Sequence, residues 1–120
     1  MWLQIQRTDG LWYWAEYSTF SISDEVGKYQ LMVDGYSGDA GDAMANAANY
    51  YYRANGKMFT TLDRDNDLQN GNCAVGLNGG WWYDRCSTSQ LNIGQHGDGR
   101  WKTVGTDRDV VTSRMLLKLN

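Results

Sequence analysis

Residues 59–92 read FTTLDRDNDLQNGNCAVGLNGGWWYDRCSTSQLN. Three carboxylates, Asp63, Asp65 and Asp67, stand at every second residue, ahead of Cys73, the pair Gly79-Gly80, the rings of Trp81-Trp82-Tyr83, and Cys86. Like charges at this spacing repel unless something cationic sits among them. A hard cation meets that need economically, because calcium takes about six to eight oxygens from carboxylates, carbonyls and water and tolerates irregular loops. The EF-hand template fits Asp63, Asp65 and Asp67 at its first, third and fifth positions and then fails. Leu68 stands where the sharp turn needs glycine, and Ala74 where a bidentate glutamate belongs. Spacing alone leaves a choice open: a cation in a different loop, its shell completed by the carbonyls of Gln69 and Gly71, or a solvated acidic turn with Arg64 as internal counter-charge.

The chain has no cysteines besides Cys73 and Cys86, which have twelve residues between them. A bridge closing a loop of that size contributes about 3 kcal/mol. Two buried free thiols are the alternative; bonding is favoured because a small glycine-rich region gains most from a covalent tie, and such ties persist outside the cytosol. Zinc lacks ligands, since the lone His96 lies ten residues beyond Cys86. His96 itself reads as an exposed polar residue. The glycines ahead of Trp81 let the backbone turn tightly, and the rings then pack as core or line a pocket, with at least one of the two tryptophans in the core.

Outward from this stretch, the chain has 120 residues, with 14 acids against 11 lysines and arginines. One domain is the expectation at that length. With acids in excess, no basic surface for a phosphate backbone can be argued, so nucleic-acid partners are not expected. No apolar run approaches the roughly 18 to 20 residues of a membrane span, and MWLQIQRTDG lacks the layout of a secretory signal; a soluble chain without membrane insertion is expected. Six Trp and eight Tyr accompany a mean hydropathy of −0.61, so large rings must carry much of the core. A domain of this size buries only about two thirds of its unfolded surface, which makes a disulfide or a bound ion valuable.

Leu3 and Ile5 alternate with Gln4 and Gln6 ahead of Asp9-Gly10, and an aromatic run over 11–22 follows: strand, tight turn, strand. Tyr29, Leu31 and Val33 read as a third strand ended by Asp34-Gly35. Asp42 caps an expected short helix through Ala48. Residues 55–100 read as loop-built, with brief strand pieces such as Met58–Thr61, and Met115–Leu119 as a last strand tucked into the sheet. The expectation is one α+β domain with a partial antiparallel sheet: a sheet-rich part over 1–36, a loop-rich part over 37–114 and a returning strand over 115–120.

FSISDEVGKYQLMVDGYSGDAGDAM over residues 20–44, taken with 59–92, resembles the C-terminal fibrinogen-related domain of fibrinogen chains, ficolins and tachylectin-type lectins. The resemblance runs from about Trp2 to Leu119, and DRDND, NCA, GGWWY and the closing cysteine are together highly specific. Members of that family are normally longer and begin with another subdomain carrying its own disulfide, so the likeness is to the later part of the domain. It implies calcium on the side chains of Asp65 and Asp67 and on the main-chain oxygens of Gln69 and Gly71, with Asp63 behind them. It also implies a Cys73–Cys86 bridge and a cis peptide between Arg85 and Cys86. In the lectin branch, amides beside that bond face the acetyl group of a sugar; here they would be those of Cys86 and Ser87, with Leu77, Trp82, Tyr83 and Arg85 around them. Ser87 replaces the histidine of many members, Leu77 an aromatic, and Ile93-Gly94-Gln95-His96 departs from a tyrosine-containing loop. The insertion Ala45–Ala54, with Tyr50-Tyr51-Tyr52, matches no family role; it reads as a surface excursion whose tyrosines cover apolar area, or as a new contact surface.

Catalysis is not expected, since the single histidine has no plausible partners and no loop cradles a phosphate. The resemblance implies a secreted, calcium-stabilised recognition module, lectin-like, for acetylated glycans in innate-immune-type recognition. A peptide-binding module in the manner of fibrinogen is the alternative, and a structural fragment without a working pocket a third. An exposed sheet edge or apolar face would invite homo-oligomers.

Overall fold

The N-terminal alternation becomes a hairpin in the computed structural model, which describes residues 1–45, 52–92, 99–104 and 109–119. Strand β1 (Trp2–Arg7) turns at Gly10, whose φ of 86° suits glycine, into β2 (Trp12–Ile22). The Asp9 carboxylate accepts the Leu11 amide inside that turn. Strand β3 (Leu31–Gly38) lies along β2, and β8 (Val110–Leu116) lies on the far side of β1, giving an antiparallel sheet in the order β3-β2-β1-β8. Leu3, Ile5, Ala15, Tyr17, Leu31 and Val33 are buried on its inner face.

The third strand runs beyond Asp34-Gly35 to Gly38 and begins at Leu31, not Tyr29. Gly35 kinks the strand (φ 69°) opposite Ser18 without ending it, and the ladder keeps one register on both sides, Tyr17 facing Tyr36 and Phe20 facing Val33. The inward positions of β2 therefore slip from 15 and 17 to 20, a phase change that simple alternation misses. Lys28 and Tyr29 lie in a turn with positive φ, their amides donating to the Glu25 and Asp24 carbonyls. The expected helix from Asp42 is a turn over residues 43–45, and residues 46–48 fall outside the described ones. Asp42 does accept the Ala45 amide as a cap would, and also the Tyr17 hydroxyl. Most of the Ala45–Ala54 insertion, with Tyr50 and Tyr51, likewise lies outside the described residues, but its return is anchored: the Ala54 and Asn55 amides both donate to the Met44 carbonyl.

The returning strand starts at Val110 and stops at Leu116, not over 115–120. Trp2, which opens β1, pairs with Leu116, so the ladder has almost no partner left beyond that point. Among the described residues the loop-rich half holds two short ladders, β4 (Phe59–Thr60) with β5 (Trp81–Trp82) and β6 (Ser89–Gln90) with β7 (Arg100–Trp101), and one five-residue helix, α1 (Cys73–Leu77), which pattern reading missed. Rings carry the core as expected: Trp81, Trp101, Tyr17 and Tyr83 are its largest fully buried side chains. Among the described residues no helix is long and apolar enough to cross a membrane.

Candidate functional site

Asn72 organises the acidic stretch. Its side-chain oxygen caps α1 by accepting the Ala74 and Val75 amides, while its side-chain amide donates to the carbonyls of Thr61 and Leu62. Asn66 works similarly, its amides reaching the Phe59 carbonyl and the Thr60 hydroxyl. Neither residue stands out by charge; the pattern Asn-Cys-Ala ahead of a helical turn was the signal available for Asn72. Asn78 closes α1 in the left-handed conformation, its amide donating to the Ala74 carbonyl.

Asp67 sits at the centre of the loop. One carboxylate oxygen accepts the Gln69 amide at 2.9 Å, and the other accepts the Cys73 amide at 2.9 Å. The Asp67 amide in turn donates to Asp65 at 3.1 Å. Burial above all holds the Asp67 carboxyl over the usual carboxylate range; the Cys73 and Gln69 amides pull it down, and the neighbouring Asp65 carboxylate pushes it up again. Asp63 behaves differently: exposed, and held by the Thr61 hydroxyl at 2.7 Å, its carboxyl is lowered. The structure thus engages Asp63 with the Thr61 hydroxyl and leaves Asp65 and Asp67 as neighbouring carboxylates that each accept backbone amides. Each carboxylate oxygen retains a lone pair, and the donor set, two carboxylates with the carbonyls of Gln69 and Gly71 nearby in sequence, is the hard-oxygen set that calcium takes. Among the described residues no group of three or more His, Cys, Asp or Glu side chains gathers for a metal, so a cation here would depend on main-chain oxygens.

Cys73, whose amide Asp67 holds, is bonded to Cys86 with an S–S distance of 2.03 Å. The peptide between Arg85 and Cys86 is cis. Of the residues expected to face a ligand, Trp82, Tyr83 and Ser87 are buried, while Leu77 and Cys86 are half-buried and Arg85 is exposed. Trp82 packs edge-on against Phe20, Phe59 and Trp81 and donates its indole N–H to the Tyr29 carbonyl. Both tryptophans of the pair belong to the core. The Tyr83 hydroxyl donates to the Gly79 carbonyl, and burial raises its pKa. Ser87 serves the fold too, accepting the Ser89 amide. Gln90 clasps the other side by donating to the Leu77 and Asn92 carbonyls. His96 and the rest of Ile93–His96 lie outside the described residues.

Behind this surface, Asp84 is buried with Lys57 3.1 Å from one oxygen. That contact is an ion pair outside hydrogen-bond geometry, and neither Asp84 oxygen accepts a hydrogen bond.

The family described as fibrinogen beta and gamma chains, C-terminal globular domain, matches residues 1–111. Human angiopoietin-related protein 6 is 40% identical over 89 residues, covering 74% of this chain and 17% of the relative. Chicken tenascin is 44% identical over 85 residues, covering 71% and 4%. Rat fibrinogen-like protein 1 is 38% identical over 101 residues, covering 81% and 32%. The chain therefore spans a third or less of each of these relatives. The fibrinogen-like globe domain of human ANGPTL6 superimposes with a TM-score of 0.71 at 31% identity, covering 98% of this chain and 56% of that one. Lamprey fibrin D-dimer, at 24% identity and a TM-score of 0.76 over 93% of this chain and 42% of its own, shares the fold. Neither the family description nor these relatives' names denotes an enzyme.

Proposed function

The chain belongs to the family of the C-terminal globular domains of fibrinogen beta and gamma chains, and from that premise we propose an extracellular recognition module whose ligand surface is set by calcium in the loop from Asp65 to Gly71. Asp65 and Asp67 supply charged oxygens to the cation, and Gln69 and Gly71 supply carbonyls. The observation that carries the reading is the double role of Asp67: the carboxylate suited to calcium also holds the amide of Cys73, and through the disulfide it is tied to the Arg85–Ser87 segment. Calcium then acts indirectly, by fixing a loop that the bare carboxylates leave under mutual repulsion. The disulfide suits an oxidising, extracellular setting.

An acetylated glycan is the first ligand class, received by the amides of Cys86 and Ser87 with Leu77 and Arg85 at the rim. A peptide is the second reading, supported by the lamprey fibrin D-dimer, which was solved with the peptide ligand Gly-His-Arg-Pro-amide. A glycan array and a peptide library probed with and without chelator test both. Calcium-dependent retention on acetylated sugars is expected; retention on peptides alone selects the second reading. A melting temperature indifferent to calcium and chelator overturns the calcium assignment, and ligand capture that persists in chelator overturns its link to recognition.

A further inference from the structure

The sheet has a second face, which the core leaves to solvent. Residues directly opposite in antiparallel pairs point to the same side, so the register assembles rows there: Trp2 between Glu16 and Leu116, Gln4 between Trp14 and Arg114, Gln6 between Trp12 and Thr112. Trp2, Trp12 and Trp14 keep 38%, 48% and 37% of their surface exposed, and Leu116 keeps 43%. Strands rarely offer three tryptophans to water on one face, and such a patch marks a contact site. Glu16 on β2 and Arg114 on β8 flank the central strand one row apart. Among the described residues neither makes an ion pair or a side-chain hydrogen bond. Two strand spacings and one row separate them by about 12 Å, too far to meet within one copy.

We propose that this face docks a second copy of the chain, sheet upon sheet, about a two-fold axis parallel to β1. Such an axis lays β8 of one copy over β2 of the other and keeps the rows in step. Each Arg114 then comes over Trp14 of the other copy, beside its Glu16, and Trp2 meets Trp2 at the centre. The guanidinium lies on a ring face and against a carboxylate at once, twice by symmetry. Packed sheets stand about 10 Å apart within roughly 30° of parallel, a gap that tryptophans fill. The charges choose the occupant. A neutral glycan or an apolar partner would engage the rings and leave Glu16 and Arg114 unmatched, whereas a second copy supplies the complement of each. The rows carry one acid and one base, so copies of a protein with net charge −3 can approach there without repulsion.

Sedimentation velocity on the full chain, from low micromolar to submillimolar concentration, tests this. A monomer–dimer equilibrium is expected, unchanged by chelator. Glu16→Arg or Arg114→Glu alone should raise the dimer dissociation constant at least about tenfold, and the double swap should restore it to within about threefold. Trp14→Ala should leave a monomer, and thermal melts that match the parent show that each variant is folded. A monomer at every concentration overturns the proposal, as does a dimer indifferent to the single swaps. Retention of the monomeric protein on polysaccharide or lipid vesicles that Trp14→Ala abolishes would assign the face to another occupant and overturn it equally.

Discussion

Asp67 carries opposing demands on one carboxylate. Burial raises its pKa and the protein's own amides only partly offset that, so without a cation the folded state holds the Asp67 proton more tightly than the unfolded chain does. A raised folded-state pKa in an acid means a cost to stability that is full above the folded value and absent below the ordinary value of 3.8. In chelator, the parent should therefore gain stability relative to Asp67→Asn as pH falls through that window. In saturating calcium the sign reverses at the same residue: calcium adds about 2.7 kcal/mol at a hundredfold excess over its dissociation constant, protons compete for the ligand, and Asp67→Asn forfeits the increment at neutral pH. Thermal melts of both proteins across pH, with and without calcium, read both signs; parallel curves in chelator and calcium contradict the account. Asp109 gives the ordinary contrast. The Thr8 hydroxyl first and Arg7 next hold its carboxyl below the usual range, so its contribution is present above 3.8 and lost as pH falls through the lowered value. The penalty of Asp109→Asn should be measurable at neutral pH and vanish in strong acid.

At the scale of elements, two glycines of the loop-rich half have opposite meanings. A Cβ on Gly79 would stand 1.7 Å from the Asn92 carbonyl oxygen, where α1's exit meets the segment that Gln90 clasps. Backbone cannot yield as a side chain does, so Gly79→Ala should cost about 3 kcal/mol. Gly76, inside α1, meets nothing within 4 Å, and Gly76→Ala should stabilise by about 0.5 to 1 kcal/mol by limiting the unfolded ensemble. Urea denaturation of both variants measures the pair, and equal effects would refute the distinction. The same region shows what the sequence could convey. Leu3 and Ile5 announced β1 because one face is buried and the period is simple. Gly35 misled because a kink within a paired strand uses the residue that ends strands elsewhere. Helix α1 escaped because five residues hold too few periods to register, and its cap, Asn72, carries no charge to draw notice. The spacing of Asp63, Asp65 and Asp67 could not separate ligands from a solvated turn, nor could it convey that the Thr61 hydroxyl donates to Asp63.

Across the whole molecule, stability rests on joining residues far apart in sequence. β8 pairs with β1, and Arg7 meets Asp109 at 2.8 Å across 102 positions. Pairing of this kind incurs the closure entropy of a long loop before its contacts can offset it. Lys57 and Asp84 make a second long-range tie, between the stretch leading into β4 and the disulfide-bonded loop. Removing one member strands a charge or a polar vacancy in the interior, so Lys57→Ala should cost about 3 to 5 kcal/mol, whereas an uncharged, well-packed pair at both positions would be far milder. Shortening the protein after residue 108 is the sharper test of the joined termini. It removes Val110, which is buried, and Met115, which packs on the core, and it exposes the edge of β1 beside the fully buried Leu3 and Ile5. The two side chains alone account for roughly 3 kcal/mol or more of burial. Amide exchange in β1 should then rise toward that of a frayed edge while the Asp65–Cys86 loop, held by its disulfide and its own hydrogen bonds, changes less. Uniform loss of protection in both regions would show instead that the sheet and the loop-rich half unfold as one unit.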